Sequence, residues 1–466
     1  MTSSPAELIP LSGQSLTLGG AFARSGFELH LVGGPVRDAL MGRPCADLDF
    51  ATDARPDRVL EIVAPLASAT WTTGIEYGTI GALLEGVPCE ITTFRADRYD
   101  RVSRNPSVAY GDSLVDDLRR RDFTMNAMAV SVTGEPTFTD PFGGLVDLAR
   151  GLLRTPGTPQ ESFTDDPLRM LRAARFVSTL EVTLAPEVAA ALIELAPQLA
   201  RITPERVQVE LSKLLLGAAP RAGLEVLVDG GLAGVVLPEL PALRMAADEH
   251  GQHKDVYAHT LQVLDQAIGL EDSGPDLVLR WAAQLHDIGK PATRAFLPGG
   301  RVTFHHHEVV GARMARKRLK DLRCSNDLIE DVAQLVLLHL RFYGYRSTEW
   351  TDSAVRRYVV DAGPLLTRLH KLVRSDCTTR NKRKSAALSA AYDALEARIA
   401  DLQAQEELDR IRPDLDGNDI MTILAIPPGP LVGKAYQHLL ALRMEHGPLG
   451  RDRAVSELRS WYAGNQ

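Results

Sequence analysis

The residue pattern changes from strand-like to helical near residue 155, and this change restricts the fold more than any other feature. Before it, the runs Ile80 to Leu84 and Cys89 to Phe94 are rich in apolar and β-branched residues, which is typical of a hairpin. After the Pro- and Gly-containing segment 155–159, apolar residues recur at helical spacing, as in Leu168 to Leu180 and Glu187 to Leu199. The pattern therefore predicts an α+β fold, in which a mixed sheet with helices precedes an elongated all-helical remainder.

Length and composition indicate the number of domains and the cellular compartment to expect for this protein. A chain of 466 residues is too long for one hydrophobic core. We predict a head domain with a mixed sheet at 1–155, a helical neck at 156–245, a further helical domain at 246–400 and a helical tail at 401–466. The chain shows no signal-peptide pattern and no run of the ~18 apolar residues that span a bilayer, and its four cysteines are scattered. We expect a cytoplasmic protein with no membrane partner and no obligate protein partner.

Asp47 and Asp49, with one residue between them, provide the first candidate site. Alternate residues of a strand point to the same face, so a strand here would place both carboxylates together and bury Leu48 and Phe50. Two carboxylates at that distance repel each other unless a cation lies between them. Oxygen ligands of this kind suit Mg²⁺, which binds through one or two carboxylates together with substrate phosphates. The pair predicts a magnesium site for phosphoryl chemistry.

A glycine pair precedes these aspartates, in the segment Gly33-Gly34-x-x-Arg37-Asp38. Because glycine has no Cβ, the backbone N–H groups of such a turn can approach a triphosphate closely. We therefore expect Gly33, Gly34, Arg37 and Asp38 to belong to a nucleotide-binding site beside the metal.

Arg121, Asp122 and Asn126 stand at the start of an apolar run. On a helix, Asp122 and Asn126 would lie four residues apart and share one face. Such a face can hold a ribose hydroxyl and a phosphate, and Arg121 would add charge-assisted hydrogen bonds. These residues are therefore candidates for contacts with a nucleotide.

A second polar face is expected on a helix that opens near residue 165. Asp166 and Arg169 stand one turn apart, and together they could pair with the Watson–Crick edge of a base. Such a site discriminates strongly between bases, because a base with a mismatched edge leaves buried polar groups unpaired. Simple capping of the helix by its acidic residues is the alternative for this pattern. The candidate nucleotide-binding residues here are Asp165, Asp166, Arg169, Arg172 and Arg175.

The net charge of −8 argues against a protein coated in positive potential, but it leaves room for local RNA contacts. Basic clusters occur at 119–121, 313–318 and 374–384. One such cluster is more often a solvated helix face, whereas three of them in a chain with phosphoryl-transfer features favour a nucleic-acid partner.

These motifs resemble, in their order and spacing, those of class II tRNA nucleotidyltransferases, the CCA-adding enzymes, and of the related bacterial poly(A) polymerases. The resemblance covers about the first 240 residues, and the helical remainder also fits it. The family pattern commonly has Glu where this chain has Asp165, which is one methylene group shorter. The motifs are Gly33-Gly34-x-x-Arg37-Asp38, Asp47-x-Asp49, Arg121-Asp122, Asp140-x-x-Gly143-Gly144 and Asp165-Asp166-x-x-Arg169.

The resemblance implies template-independent addition of C, C and A to the 3′ end of tRNA from CTP and ATP, with release of pyrophosphate. It implies that Asp47 and Asp49 hold two Mg²⁺ ions, one activating the RNA 3′-hydroxyl and the other steadying the departing pyrophosphate. Glu90, on the second hairpin strand, is a candidate third catalytic carboxylate by analogy with related polymerase palms.

The resemblance also assigns the nucleotide contacts. The sugar is assigned to Arg121, Asp122 and Asn126, and the choice of CTP or ATP to Asp165, Asp166 and Arg169. A CC-adding enzyme, an A-adding enzyme and a poly(A) polymerase share these motifs, so all three remain alternatives. The charged loop at 95–112 is the segment expected to distinguish them.

A second metal site is predicted by His286-Asp287, at the end of an apolar helical run. An adjacent His–Asp pair can bind one or two divalent ions from one helix while histidines of other helices complete the shell. The set resembles the H…HD…H…H…D pattern of the HD phosphohydrolase family. Its implied ligands are His259, His286, Asp287, His307, His339 and Asp376. His305 and His306 are alternatives to His307, which we prefer because the residues that follow it match the family.

This second resemblance implies hydrolysis of a phosphoester by a divalent metal of open identity, with 2′,3′-cyclic or 2′-phosphates on damaged RNA ends as plausible substrates. It also supports an alternative of a different class, in which the chain is mainly an HD phosphohydrolase with an RNA-binding front half.

Overall fold

The computed structural model describes residues 5–45, 47–95, 110–111, 113–245, 255–298, 302–342, 350–379, 381–406 and 411–465. These form two compact units, Met1–Pro238 and Glu239–Gln466. Among the described residues, no helix is both long and apolar enough to cross a membrane.

The first unit contains a seven-stranded sheet in the order β3-β4-β5-β2-β1-β6-β7. β2 and β5 run parallel and the other neighbours antiparallel. The strands are β1 (Leu29–Val32), β2 (Leu48–Thr52), β3 (Ala69–Trp71), β4 (Thr79–Leu84), β5 (Val87–Thr93), β6 (Ala129–Ser131) and β7 (Phe138–Thr139). Leu48 and Phe50 are buried on one side of β2, as their alternation with aspartates predicts.

The predicted hairpin is present as β4 and β5, and it joins the sheet through β2. The second strand was expected to begin at Cys89, but β5 already begins at Val87. The turn consists of Glu85 and Gly86, whose φ angles of +48° and +84° match a two-residue turn with left-handed residues. Such a turn matches the twist of the two strands, so pairing continues up to it.

Helices surround the sheet and then form the rest of the first unit. They are Gly13–Arg24, Gly34–Leu40, Pro56–Val63, Leu114–Arg119, Gly144–Arg150, Pro159–Asp165, Leu168–Leu180, Pro186–Leu195, Pro204–Leu215, Pro220–Asp229 and Ala233–Val236. Short 3₁₀ helices lie at Pro5–Leu8, Ile75–Tyr77, Thr124–Asn126 and Ala196–Arg201, and a two-stranded sheet pairs β8 (Leu152–Leu153) with β9 (Thr183–Leu184).

Within its described residues, the second unit is helical apart from the short pair β10 (Ala295–Phe296) and β11 (Val302–Thr303). Its helices are Val256–Ile268, Leu277–Leu285, Lys290–Thr293, His307–Asp321, Asn326–Leu338, Asp352–Ala362, Leu366–Ser375, Lys382–Glu406, Gly417–Leu424, Pro430–His446 and Arg451–Ala463, with 3₁₀ turns at Pro241–Leu243 and Gly363–Leu365. The predicted α+β class with an all-helical remainder is confirmed.

Candidate active site and metal centre

Three carboxylates of the sheet come from neighbouring parallel strands. The register of β2 and β5 aligns Asp49 with Glu90, so both side chains leave the same face of the sheet. Asp47 precedes β2, which begins at Leu48 rather than at Asp47 as predicted. Asp49 is half-buried, whereas Asp47 and Glu90 are exposed. The sheet thus presents an accessible group of oxygen ligands.

Electrostatics in this group are unfavourable without a cation. Burial raises the pKa of Asp49 to about 6; Arg121 lowers it, and the negative charges of Glu90 and Asp47 raise it again. A divalent ion in contact with these oxygens would reverse the effect, because it favours the charged form of each carboxylate. Carboxylate oxygens suit a hard divalent cation, but among the described residues these three do not form a group whose ligand atoms all lie within 4.8 Å of one another.

The backbone at Gly33 lies close to the side chains of Arg121 and Asp49. Its φ is +73°, in the region that favours glycine. A Cβ at Gly33 would lie 2.9 Å from Nη1 of Arg121 and 3.9 Å from Oδ2 of Asp49. Glycine is needed here both for the backbone conformation and for the close approach of Arg121.

Asp122 and Asn126 are in contact, but the predicted helix face is wrong. Asp122 lies in a loop before the one-turn helix Thr124–Asn126. Its Oδ1 accepts hydrogen bonds from the backbone N–H of Phe123 and from Nδ2 of Asn126, both at 2.9 Å. A side chain that bonds to its own loop competes with α-helix formation, which explains the difference. Oδ1 of Asn126 accepts from Nη1 of Arg37 at 2.7 Å.

Arg172 fixes the charge of Asp122. Its Nε donates to Oδ2 of Asp122 at 2.8 Å. Burial alone would favour the neutral acid, but Arg172 and Asn126 hold the pKa of Asp122 well below its usual range. Ionised Asp122 in turn raises the pKa of Arg172. This ion pair ties the loop of the head to helix Leu168–Leu180.

Arg37, Arg172 and Arg175 surround the ring of Phe176, with guanidinium carbons 5.3, 5.6 and 4.3 Å from its centroid. Arg175 also lies 3.1 Å from the buried carboxylate of Glu210. Arg37 donates through Nε to Asp38 at 2.9 Å. Arg37 and Asp38 pair with each other, Arg175 pairs with Glu210, and all three predicted nucleotide ligands lie outside the lining of the adjoining cavity.

That cavity has a volume of 290 Å³ and carries an excess of positive charge, with six arginines against three aspartates. Such a lining suits a polyanion. Its residues are Thr92, Arg95, Asp117, Arg120, Arg121, Asp122, Asp166, Leu168, Arg169, Arg172 and Arg206. A larger cavity of 530 Å³ among Val177, Leu184, Leu192 and Val226 is mainly apolar and lacks groups that suit a triphosphate.

Sequence reasoning missed four charged residues of this lining: Arg95, Asp117, Arg120 and Arg206. Arg206 carries the clearest role, because its Nη2 lies 3.0 Å from Oδ2 of Asp166, 40 positions earlier in the chain. Arg206 lies in the first turn of helix Pro204–Leu215, and nothing in the sequence around it indicates that it contacts Asp166. Only the packing of this helix against Leu168–Leu180 reveals it.

Arg169 lines the same cavity, and hydrogen bonds to neighbouring residues hold its guanidinium group in place. Its Nη1 donates to Oγ of Ser162 at 2.8 Å, and its Nη2 donates to the backbone carbonyl of Arg120 at 2.5 Å. Asp165, in contrast, is exposed and does not line the cavity. The structure brings Asp166 and Arg169 together and leaves Asp165 outside.

The six ligands predicted in the second unit meet in one cluster. Two groups of three offer ligand atoms within 4.8 Å of one another. Oδ1 of Asp376 lies 3.0 Å from Nε2 of His259, and the Asp287 carboxylate lies 3.2 Å from Nε2 of both His286 and His307. The groups are His259, His286 and Asp376, and Asp287, His307 and His339.

In three histidines of the cluster, the hydrogen bond made by Nδ1 determines which ring nitrogen carries the proton. Nδ1 of His286, His307 and His339 faces the carbonyl oxygen three residues earlier, at 2.8, 2.8 and 2.6 Å. Because a carbonyl only accepts, each Nδ1 carries the proton and each Nε2 directs a lone pair into the cluster. Nε2 of His339 is buried and has no hydrogen-bond partner among the described residues. The arrangement fits a bound metal ion.

The ionisation states of His339 and Asp287 suit metal binding, whereas the pKa of His286 is raised: burial lowers it, but Asp287 and Asp376 raise it more. Burial lowers the pKa of His339 to about 4, which keeps this ring neutral. Burial opposes the charge of Asp287, but His286 and Lys290 hold its pKa well below the usual range. Nζ of Lys290 lies 2.6 Å from Oδ2 of Asp287. A neutral imidazole and an ionised carboxylate are the forms that bind a divalent ion.

Local sequence explains how two of these segments approach each other. His286 follows helix Leu277–Leu285, and His307 begins the helix after His306, whose φ is +59°. A Cβ at Gly289 would lie 2.1 Å from the carbonyl oxygen of His307, so only glycine permits the contact. His305 and His306 are exposed while His307 is buried in the cluster, in agreement with our choice of His307.

The loop at 95–112, expected to distinguish related enzymes, lies outside the described residues except for Arg95, Tyr110 and Gly111.

The basic cluster 313–318 is partly neutralised within the protein, which weakens it as an RNA contact. Its ion pairs are Arg316 with Glu330, Lys317 with Asp321 and Arg318 with Glu239.

Comparison with known families divides the chain into three parts. The family described as Poly A polymerase head domain matches residues 29–154, and the one described as probable RNA and SrmB-binding site of polymerase A matches residues 181–243. The HD domain family matches residues 256–402. The first match contains the sheet carboxylates, and the third contains all six ligands of the cluster.

Individual relatives cover the chain to different extents. A CCA-adding enzyme of Anoxybacillus flavithermus is 30% identical over 459 residues, 97% of each protein. An A-adding tRNA nucleotidyltransferase of Deinococcus radiodurans is 35% identical over 421 residues, 89% of this chain and 91% of that protein. The chain spans only 62% of the length of CCA-adding enzymes from Geobacillus thermodenitrificans and Levilactobacillus brevis, at 41% and 42% identity. The solved structure of the Bacillus stearothermophilus CCA-adding enzyme in complex with CTP aligns with a TM-score of 0.67 and 25% identity over 98% of each chain.

Proposed function

This chain belongs to the family of CCA-adding enzymes and related tRNA nucleotidyltransferases, and we propose that it adds C, C and A to the 3′ end of tRNA without a template. CTP and ATP are the proposed substrates and pyrophosphate is the leaving group. One observation carries the proposal. Arg121 lines the arginine-rich cavity and also lies against Gly33, within the electrostatic reach of Asp49, so the carboxylates and the cavity form one continuous site.

Mg²⁺ is the proposed cofactor of the head, held by Asp47, Asp49 and Glu90. Carboxylate oxygens on an accessible face are suitable ligands for a hard cation that is bound together with substrate phosphates. Mg²⁺ bound there would favour ionisation of the RNA 3′-hydroxyl that attacks the α-phosphate and would neutralise charge on the pyrophosphate. The pKa of Asp49 is raised first by burial and then by the charges of Glu90 and Asp47, and this supports the assignment because a bound cation favours the charged form of all three carboxylates.

The protein's own groups would bind and orient the nucleotide. Arg121 and the other arginines of the cavity offset the charge of the triphosphate. Asp122 is ionised, and its two oxygens already accept four hydrogen bonds from Phe123, Asn126 and Arg172, so its proposed role is to fix Asn126 and Arg172 beside the nucleotide. Fixing these groups before the nucleotide arrives reduces the entropy lost on binding.

Asp166 and Arg169 are proposed to select the base. Cytosine and adenine both present an amino donor beside a ring-nitrogen acceptor, which complements a carboxylate next to a guanidinium. Uracil and guanine present a carbonyl oxygen in place of the amino group, and this oxygen would face the carboxylate unpaired. A polar site of this kind rejects such an edge strongly.

Incubation with tRNA that lacks its last three nucleotides tests the proposed function. Labelled CTP and ATP are supplied separately and together, and the products are resolved by length. Addition of C and A that stops after three nucleotides is the expected result. A long A-tail, or incorporation of one nucleotide type only, would reject CCA addition.

An A-adding activity is the second candidate, and the Deinococcus radiodurans relative favours it. That protein shares 35% identity over about nine-tenths of both chains, against 30% for the near-full-length CCA-adding relative. A tRNA that ends in CC separates the two activities when it is compared with a tRNA that lacks all three nucleotides. An A-adding enzyme extends only the first substrate, and a CCA-adding enzyme extends both.

The cluster of the second unit supports an additional activity, metal-dependent hydrolysis of a phosphoester. Its support is the set of histidines with preset tautomers around Asp287. Hydrolysis of 2′,3′-cyclic AMP, measured after EDTA treatment and addition of Mg²⁺, Mn²⁺ or Ni²⁺, tests the activity and identifies the metal. No hydrolysis with any of the three ions would reject this substrate class.

We also keep the division into a head at 1–155, a neck at 156–245, an HD-type domain at 246–400 and a tail at 401–466. The family matches at 29–154, 181–243 and 256–402 support it. A cytoplasmic location is part of the same proposal, and the four free cysteines are in keeping with a reducing compartment.

A further inference from the structure

We propose that Arg206 is a positioning residue for base selection, acting by holding the carboxylate of Asp166 in the orientation that reads the base. The inference rests on the proposed function, because it takes Asp166 and Arg169 as the base-reading pair. Arg206 lies outside every motif that the sequence pointed to, and it reaches the cavity from a different helix.

Two contacts hold the Asp166 carboxylate, one at each oxygen. Oδ1 accepts a hydrogen bond from the backbone N–H of Leu168 at 3.1 Å, and Oδ2 accepts one from Nη2 of Arg206 at 3.0 Å. Together they fix the plane of the carboxylate. Each carboxylate oxygen has two acceptor positions, so one position on each oxygen stays available to a ligand in the cavity.

Arg169, the other half of the pair, is held in the same manner. Ser162 accepts two hydrogen bonds from Nη1, through Oγ and through its carbonyl oxygen, and the carbonyl of Arg120 accepts one from Nη2. The N–H of Nε and the second N–H of Nη2 are available to a base. Both base-reading side chains are thus oriented by neighbours before a nucleotide enters. A site discriminates well only when its donors and acceptors are held within a narrow range of geometry.

The backbone that carries Arg206 is itself anchored. Arg206 and Glu210 lie one turn apart on helix Pro204–Leu215, and the buried carboxylate of Glu210 pairs with Arg175 at 3.1 Å. Arg175 belongs to the same helix as Arg169 and Arg172. This second ion pair fixes the register of the two helices, so the distance from Arg206 to Asp166 is set by tertiary packing.

Without Arg206, one anchor of the carboxylate is lost while Asp166 itself remains. Rotation of the carboxylate then becomes easier, and its free acceptor positions no longer match the amino group of cytosine or adenine. Pairing with CTP and ATP weakens, whereas UTP and GTP, which make no such pair, lose little. The ratio of correct to incorrect nucleotide should therefore decrease.

The test compares Arg206→Ala with Arg206→Lys in the full-length protein. The readouts are kcat/KM for CTP against UTP, and for ATP against GTP, on tRNA lacking its 3′ nucleotides. We expect the CTP:UTP and ATP:GTP ratios to decrease about five- to tenfold in Arg206→Ala, mostly through a higher KM for the correct nucleotide. Arg206→Lys, which keeps the charge and can keep one contact, should recover part of the ratio.

Arg221→Ala is the matched control, because Arg221 pairs with Glu225 on the neighbouring helix and does not line the cavity. Its ratios should equal those of the wild type. Arg206 is half exposed, so its truncation should leave the melting temperature nearly unchanged, and Arg206→Gln provides a second variant of similar length. Unchanged ratios in a folded Arg206→Ala protein would overturn the proposal. A wild-type protein that prefers neither CTP nor ATP would instead reject the proposed function itself.

Discussion

The two candidate metal sites of this protein are built in opposite ways. In the head, Asp47 and Glu90 are exposed and Asp49 is half-buried, on neighbouring strands of one sheet. In the HD-type cluster, His286 and Asp287 are 0–1% exposed, and the ligands come from separate helices. We expect the substrate phosphates to supply the remaining metal ligands of the first site. The second has its ligands oriented in advance, so we expect it to bind its ion without a substrate.

The largest effect should come from removal of a head carboxylate. Asp47→Ala or Asp49→Ala should reduce nucleotide addition by about a thousandfold, because the loss of charge stabilisation in the transition state is that large. Binding of tRNA, measured by gel shift, should change little, and hydrolysis of 2′,3′-cyclic AMP should be unaffected.

Asp57→Ala is the control for this prediction, because Asp57 is an exposed acidic residue in the first turn of another helix of the head. It should retain wild-type addition. Full activity in Asp47→Ala would rule out the metal assignment in the head.

The next largest effect concerns the cluster. His286→Ala should decrease metal-dependent hydrolysis by at least about a hundredfold, since even groups behind a metal ligand contribute ten- to a hundredfold. Addition of C and A should be retained. His305→Ala is matched to it in residue type, but His305 is exposed and outside the cluster, so hydrolysis should persist. Loss of both activities in His286→Ala would mean that the cluster is a structural element.

A third prediction concerns the ion pair between Asp122 and Arg172. Asp122→Asn should lower the free energy of unfolding by about 3 kcal/mol at pH 7, because it leaves Arg172 without its partner. The folded pKa of Asp122 lies below its ordinary value of 3.8. Its stabilising contribution is therefore present above about pH 4 and is lost as the pH falls through the folded pKa.

Urea unfolding between pH 2.5 and pH 7 measures this contribution. The wild type and Asp122→Asn should differ most near neutral pH, and the two curves should converge in acid. A constant difference across the range would contradict the assigned ionisation of Asp122.

The smallest effect should come from the glycine next to Arg121. Gly33→Ala should raise KM for the nucleotide about tenfold, because a Cβ 2.9 Å from Nη1 displaces Arg121. Gly42→Ala is the matched control: its φ is +66°, but a Cβ there meets no atom within 4 Å. Both variants should lose about 1 kcal/mol of stability through backbone strain, and only the first should change KM. An equal KM in both would show that the contact with Arg121 has no effect on nucleotide binding.

Sequence reasoning succeeded where a local rule relates neighbours in the chain. The alternation at 47–50 predicted which side chains of β2 are buried, and the hairpin at 80–94 followed from two apolar runs around a turn. It was wrong for Asp122, because a helix was expected where the side chain instead caps its own loop. Asp165 was grouped with Asp166 by adjacency, although only Asp166 faces the cavity.

By itself, the sequence determined the fold class, and it singled out the two sets of candidate metal ligands and the pair that we propose to read the base, because strand alternation, helical spacing and ordered motifs are properties of short segments. Tertiary structure alone decided that Glu90 stands beside Asp49 and that Arg206 holds Asp166. It also decided which of three adjacent histidines enters the cluster in space, in agreement with the choice of His307. The physical reason is that strand register and helix packing join residues about 40 positions apart, and no local pattern encodes which distant side chains will meet.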